Sequence, residues 1–541
     1  MAKEEEKTSV ALEVDSGDNE NVATKKKCCN CFDGNQDAIG YAVLAACRGT
    51  IIMSNVFMSS SLLWLASEAA GCGSEEQGAC TKRIYGFYPS SLNANIALIS
   101  GLLSAFLMPI FGAMVDFTPY RRAVGIASAV VITIIQAVQI YSVSSTWFPM
   151  LILQAIAGFF YQIQVVAVYS YLVDMARQLG EAKMNGFSST FTSIQFSSQA
   201  GFLLIVTVIS IVIKSSSVVT AQISQGINTL CAILLFGFGW FKYMTPRPAA
   251  KELREGRSLL LAGFRQNLST AKNVNSFFKK GLRWYFLALT FAEACTSQMQ
   301  TFRQTFATPG SWTRFLNSLN LAFSLFPFWI IFPAASALVT LSVIYLGDSL
   351  KMSGAEIGIF FLITLVSTLP GTVISWWVTK RTNPNTSWKF ANVYLFVAVM
   401  IGCLILEGLP KYCAYIWGVF VGLGLGWFYP TENLFFSIIM PKGQEAEMAG
   451  FYVYCSVVLS WLPPLVFTLL MEVNMPQKYG VIVVGVFFLV AAACLMFTSP
   501  WEEIVEETTS GALAAAEAAT ANSGTEEAPA KEAGEKAEVS M

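Results

Sequence analysis

Histidine is missing from all 541 residues. That absence removes His acid–base catalysis, His-ligated metals and His proton relays. Any proton coupling therefore falls to carboxylates and water. Charge is scarce as well. Asp, Glu, Lys and Arg make up 13% of the chain, where a soluble protein carries about a quarter. The signs balance to a net charge of −1, so no global field attracts nucleic acid. No Gly-rich loop ends in Lys-Ser/Thr, so nothing points to an ATP-driven pump. No Ser nucleophile elbow is present either. The reading is a protein that is not an enzyme and has no metal or cofactor motif.

What is present is apolar. Hydrophobic residues make up 54% of the chain, in repeated runs long enough to cross a bilayer. The charges concentrate in residues 1–37, a central loop and the last 40 residues. Spans are expected at about 39–66, 90–115, 123–143, 148–173, 189–213 and 220–244. After the central loop they are expected at about 321–346, 355–378, 388–406, 412–439, 449–472 and 480–498. The segment 282–305 is ambiguous, because Glu293, Gln298, Gln300 and Arg303 interrupt its apolar start. Twelve spans place Arg121, Arg122, Arg177, Lys183, the central loop and the Lys380-Arg381 pair on the same side as the N-terminus. Thirteen would flip the last pair, against the positive-inside rule. The expected fold is all-α and integral to the membrane, with twelve transmembrane helices in two six-helix bundles. Residues 38–244 form the first bundle and 321–499 the second. Residues 245–320 form a cytosolic loop and interfacial segment between them. Residues 1–37 read as a disordered cytosolic tail with no cleavable signal, and residues 500–541 as a disordered C-terminal tail.

The twelve cysteines mostly lie inside apolar segments, where packing explains them. Two groups differ. Cys72 and Cys80 bracket a polar loop and are candidates for a disulfide if that loop faces an oxidising lumen. Cys28, Cys29 and Cys31 follow Lys25-Lys26-Lys27 just before the first span, a setting for palmitoylation beside anionic lipid.

Polar residues inside spans are costly and mark candidate function. In the first span Arg48, Asn55 and Ser59 share one stripe. Arg48 is the candidate cation for a substrate carboxylate; the alternative is snorkelling to the nearby interface. In the fourth span Gln154, Gly158, Tyr161, Gln162 and Tyr169 fall on one arc. That arc either lines a cavity or hydrogen-bonds neighbouring helices. Glu432 follows Pro430, whose missing N–H bends the tenth span. A carboxylate there is a candidate proton or cation site, or a partner for a nearby base.

Between the second and third spans lies Gly112-Ala113-Met114-Val115-Asp116, followed by Arg121-Arg122. A small residue, an acid at a helix end and a basic pair form a candidate cytosolic gate, with Asp116, Arg121 and Arg122 as its members. The pattern resembles the cytosolic loop signature of the major facilitator superfamily. Gly422-Leu423-Gly424-Leu425-Gly426, Pro441-Lys442-Gly443, Glu445, Glu447, Gly450-Phe451-Tyr452 and Ser460-Trp461-Leu462 resemble the autophagy-linked vacuolar amino-acid effluxers within it. Tyr171-Leu172-Val173-Asp174 adds to that likeness. The resemblance implies a transporter of a vacuole-like membrane that releases amino acids from the lumen, with the plasma membrane as the alternative location. The expected substrate path holds Arg48, Asn55, Tyr161, Gln162 and Glu432. The expected partners are a small solute, protons and membrane lipids, without nucleic acid; the oligomeric state is open. That family commonly has a basic residue near Glu432, and this chain has none. Two other readings therefore stand beside the first: a transporter-like receptor or scaffold that moves no solute, and a sugar or lipid carrier on the same fold.

Overall fold

The computed structural model describes residues 32–72, 84, 103, 107, 108, 110–115, 117–249, 354–406, 409–439, 452, 478–498 and 500–506. The expected spans 321–346 and 449–472, apart from Tyr452, lie outside them, as do most of 90–115 and the segment 282–320. The helices are α1 (Gln36–Ala69), α2 (Arg121–Gln139), α3 (Trp147–Ile213) and α4 (Ser217–Phe236). A π-helical stretch, Gly237–Tyr243, prolongs α4. The second group is α5 (Gly354–Arg381), α6 (Pro384–Ile405), α7 (Tyr412–Ile439) and α8 (Lys478–Met496). Residues 501–506 form one further helical turn.

Among the described residues, seven helices are long and apolar enough to cross a membrane. A bilayer core of about 30 Å needs about 20 helical residues, so the 67 residues of α3 are two spans. Gly180 divides them. Its φ of 74° and ψ of 166° belong to a backbone region that only glycine occupies comfortably. The other helix starts are written locally. Asn35 accepts from Ala38 N at 3.1 Å to cap α1. Asn383 accepts from Thr386 N at 2.7 Å to cap α6, with Pro384 in its first turn.

Apolar side chains cover the outside of the bundle as well as its core, and several amides lie inside. Ile211, Val212, Leu230 and Leu404 point outward, while Gln136, Gln164, Asn228 and Asn392 are buried. Lipid accepts the former, and only the protein interior can satisfy the latter.

The helices pack in two sets. α1 lies on α3 and α4, and α2 lies on the same two. In the second set α5 packs on α7, while α6 packs on α7 and α8. α3 also contacts α5 and α7 and so joins the sets.

The glycines of α7 explain its closest contact. A Cβ on Gly426 would sit 2.1 Å from the Thr368 carbonyl oxygen, and one on Gly422 2.2 Å from that of Thr364. Gly371 answers from α5, with its Cβ position 2.4 Å from the Leu423 carbonyl. Small residues four apart let two backbones approach closely, which is how helices associate without a hydrophobic driving force. Because backbone atoms cannot yield, Gly426→Ala should cost about 1–3 kcal/mol. A lowered Tm in detergent checks this; Gly237→Ala, which meets open space, is the control.

Candidate functional site

The site is built around a buried charge. Arg48 lies on α1 and is 3% exposed. Gly49 makes this possible: a Cβ there would be 2.0 Å from Ser198 Oγ, so α1 lies directly on the second segment of α3. Ser198 Oγ donates to the Ala46 carbonyl at 2.9 Å and fixes that approach. The Arg48 guanidinium carbon stands 5.1 Å from the centroid of the Tyr41 ring and 5.6 Å from that of Tyr169. Each such contact contributes up to about 2 kcal/mol when desolvated, which offsets only part of the cost of burying a cation. Arg48 Nε has no hydrogen-bond partner. Among the described residues, no carboxylate lies within ion-pair distance of it. Two turns along the same stripe, Asn55 Oδ1 is also buried and unpartnered.

Facing it from the second set is a buried carboxylate. Glu432 is 1% exposed and accepts a hydrogen bond from the Tyr452 hydroxyl at 2.8 Å. The Tyr452 ring packs 4.2 Å from Phe436 and meets Tyr169 edge-on at 5.5 Å. Tyr169 is therefore shared. One contact ties it to the Arg48 guanidinium, and another to the tyrosine that holds Glu432. A buried cation on α1 and a buried carboxyl group on α7 are joined through two aromatic rings rather than by a direct contact.

The same region carries the seam between the two sets. Asn185 Nδ2 donates to the Trp376 carbonyl at 3.2 Å, and Ser188 Oγ to that of Pro430 at 2.8 Å. The hydroxyls of Ser193 and Thr372 are 2.6 Å apart. Phe196, Ala200, Leu203 and Leu365 continue the seam as an apolar cluster. The seam thus combines small, neutral hydrogen bonds with an apolar patch, and Trp501 Nε1 also donates across it to Glu181 at 3.3 Å.

The strongly charged contacts lie at the basic end. Arg121 pairs with Asp174 at 3.1 Å and sits 5.6 Å from the Tyr171 ring. Arg122 donates to the carbonyls of Trp240 and Phe241 at 2.9 and 3.0 Å. Asp37 accepts from the backbone N–H and hydroxyl of Thr245 and pairs with Arg247 at 2.6 Å. All these contacts fall inside the first set. Asp116 of the expected gate lies outside the described residues, and the partners of Arg121 and Arg122 do not cross the seam. The reason is geometric: each Arg meets a carboxylate or open helix-end carbonyls one helix away.

The remaining sequence candidates divide. Tyr161 is half-buried against the core that holds Arg48 and lies within reach of its field. Gln162 is half-buried on the same turn. Gln154 leaves the arc: it accepts from Gln139 of α2 at 2.8 Å, so it links helices rather than facing Arg48. Cys72 is disulfide-bonded; Cys80, Cys28, Cys29 and Cys31 lie outside the described residues. Tyr41 was not singled out from sequence, although it precedes Arg48 by seven residues and so shares its stripe.

A family model, Major Facilitator Superfamily, matches residues 38–464. No curated protein matches the sequence. Solved structures match along most of the chain at low identity. The proton:xylose symporter XylE, bound to 6-bromo-6-deoxy-D-glucose, is 12% identical with a TM-score of 0.56, covering 86% of this chain and 97% of that one. The E. coli fucose:proton symporter FucP is 12% identical with a TM-score of 0.54, covering 86% and 100%. The human organic anion transporter MFSD10 is 14% identical with a TM-score of 0.52, covering 84% and 99%. At these identities the likeness is one of fold.

Proposed function

The chain belongs to the Major Facilitator Superfamily, a multi-pass membrane transporter of small solutes, and on that premise we propose that it carries a solute with a carboxylate, amino acids first, out of a vacuole-like compartment by alternating access. The observation that carries this reading is the buried Arg48 on α1, which has no carboxylate within ion-pair distance among the described residues. A buried guanidinium without a counter-ion is unfavourable until an anion arrives. A solute carboxylate can take its fork in two parallel bonds. Asn55 offers a further acceptor on the same stripe. Tyr41, Tyr161, Tyr169 and Gln162 supply rings and an amide around the bound group.

Glu432 serves the other charge. When ionised it complements the ammonium of an amino acid; when protonated it carries the coupled proton. Tyr169 and Tyr452 report the state of one charge to the other, because both rings must shift if either neighbour moves. The seam residues Asn185, Ser188 and Ser193 make single neutral hydrogen bonds across the sets. Each contributes about 1 kcal/mol net, which suits a contact broken in every cycle. The vacuole-like location and the amino-acid class rest on the resemblance of residues 420–465 to the vacuolar effluxers. Among transporters of this fold, XylE and FucP carry sugars and MFSD10 carries organic anions, and the buried Arg48 cation favours the anionic class.

The test is uptake of a labelled amino-acid mixture by proteoliposomes of the purified protein, with and without an imposed pH gradient. Gradient-dependent uptake of a few amino acids is expected. Uptake of a sugar instead, or of no amino acid by correctly inserted protein, overturns the reading.

A further inference from the structure

We infer that the first helix set encloses a blind column of bound water between α1, α4 and α2, separate from the Arg48 site. Four polar side chains carry the inference. Ser54, Gln136, Gln225 and Asn228 are each at most 1% exposed. The Ser54 hydroxyl and both amide atoms of Gln136, Gln225 and Asn228 have no hydrogen-bond partner.

These residues share a level, as contacts on both sides of them fix. α1 and α4 run antiparallel: Gly239 lies against Leu44 at one end, and Ala221 joins the cluster of Met58 and Leu62 at the other. Ten residues on from Leu44 is Ser54; ten back from Gly239 is Thr229, beside Asn228. α2 and α4 are fixed in the same way. Gly125 lies against Trp240, and Gln222 Nε2 donates to the Ser142 carbonyl at 2.9 Å. Eleven residues on from Gly125 is Gln136; eleven back from Trp240 is again Thr229. At about 1.5 Å per residue, Gln225 lies one turn from Asn228 toward the 140–146 turn. On α4, the buried residues Ala221, Ser224, Gln225, Asn228 and Ala232 form one stripe, which faces the neighbouring helices.

The column continues toward that turn. Gln139 Oε1 and the hydroxyls of Ser61 and Ser142 are likewise buried and unpartnered. In the other direction it stops, because Ile51, Ile132 and Ala232 occupy the next level and are buried apolar residues.

The chemistry selects water. Each amide presents both an N–H donor and a carbonyl acceptor. A cation would satisfy only the oxygens, and an anion only the N–H groups. None of the four residues is charged, so neither ion finds a counter-charge there. Water supplies donors and acceptors together and needs two to four polar partners, which this layer provides. Leaving so many amide atoms unpaired in an apolar bundle would cost each its full desolvation.

The test is X-ray hydroxyl-radical footprinting of the intact protein. Met58 is fully buried and packs at the level of Gln225. Met175 is equally buried in the main core. Oxidation of Met follows its access to oxidant, so Met58 should oxidise about tenfold faster than Met175 although neither reaches solvent. The Gln136→Leu/Asn228→Leu double variant should bring Met58 down to the rate of Met175 and leave the Tm unchanged or higher. Equal protection of Met58 and Met175 in the unmodified protein overturns the inference. That comparison needs no variant to fold and no solute to be transported, so its outcome is independent of the proposed function.

Discussion

Arg48→Gln should weaken solute binding roughly a hundredfold while leaving the protein as stable or more so. The argument starts from burial. Arg48 is 3% exposed, and no carboxylate among the described residues neutralises it. Two tyrosine faces are its compensation. Removing the charge therefore removes a desolvation penalty along with two cation–π contacts, and buried charges replaced by neutral groups of similar size often leave a protein as stable or more so. Binding should respond in the opposite direction. Loss of a charge-assisted bidentate contact costs about 3 kcal/mol, or roughly a hundredfold in Kd. Arg48→Lys keeps the charge but loses the planar fork and its stacking on Tyr41 and Tyr169, so it should recover only part of the affinity. Calorimetric binding together with a thermal-shift series would read both quantities. If Arg48 were only a packing or anchoring group, Arg48→Gln would lower the Tm and leave Kd where it was. The split between affinity and stability decides the matter.

The second large effect falls on coupling. Glu432→Gln should uncouple uptake from the pH gradient while preserving exchange of solute between the two sides. Gln keeps the shape of Glu and an oxygen that can accept from the Tyr452 hydroxyl, the bond seen at 2.8 Å. What it cannot do is take up and release a proton. One pH unit across the membrane is worth about 1.4 kcal/mol per proton, which sets about tenfold accumulation for one proton per solute. The variant should show none, with counterflow rates near those of the unmodified protein. Tyr452→Phe should instead retain coupling and move the pH profile, because the carboxylate loses a donor but stays in place. A Glu432→Gln protein whose uptake keeps its original pH dependence would remove Glu432 from the coupling route. The aromatic bridge adds a cross-check. Tyr169→Leu separates Tyr452 from Arg48 without touching either charge, so its effect should appear in both binding and coupling.

Much of the architecture was legible because a bilayer imposes a strong one-dimensional code. Apolar runs of the right length, absence of charge within them and basic residues between them are local properties. They placed nine of the described spans close to where the helices lie, including both halves of α3 on either side of Gly180. Arg48 and Glu432 stood out for the same reason, since a charge inside an apolar run is costly wherever it points. Helical periodicity also gave the stripe of Arg48 and Asn55.

What the sequence could not supply was partnership. A helical wheel gives the direction in which a side chain leaves its own helix, not what stands opposite. Gln154 and Tyr161 shared an arc, yet helix rotation and a neighbour decided their fates: Gln154 met Gln139 of α2, and Tyr161 stayed with the core around Arg48. Arg121 and Arg122 were read as a gate from their place beside Asp116. The structure adds Asp174 and the open carbonyls at the end of the α4 extension as their partners inside the same set. The amide layer of Gln136, Gln225 and Asn228 comes from two helices almost a hundred residues apart, and each amide alone reads as an ordinary polar interruption. Composition and periodicity thus determined a membrane-embedded helical protein and singled out the two charged residues proposed to form its site. Only tertiary packing decided which groups face those charges, because hydrogen bonds and cation–π contacts depend on separations of a few ångströms between helices distant in the chain.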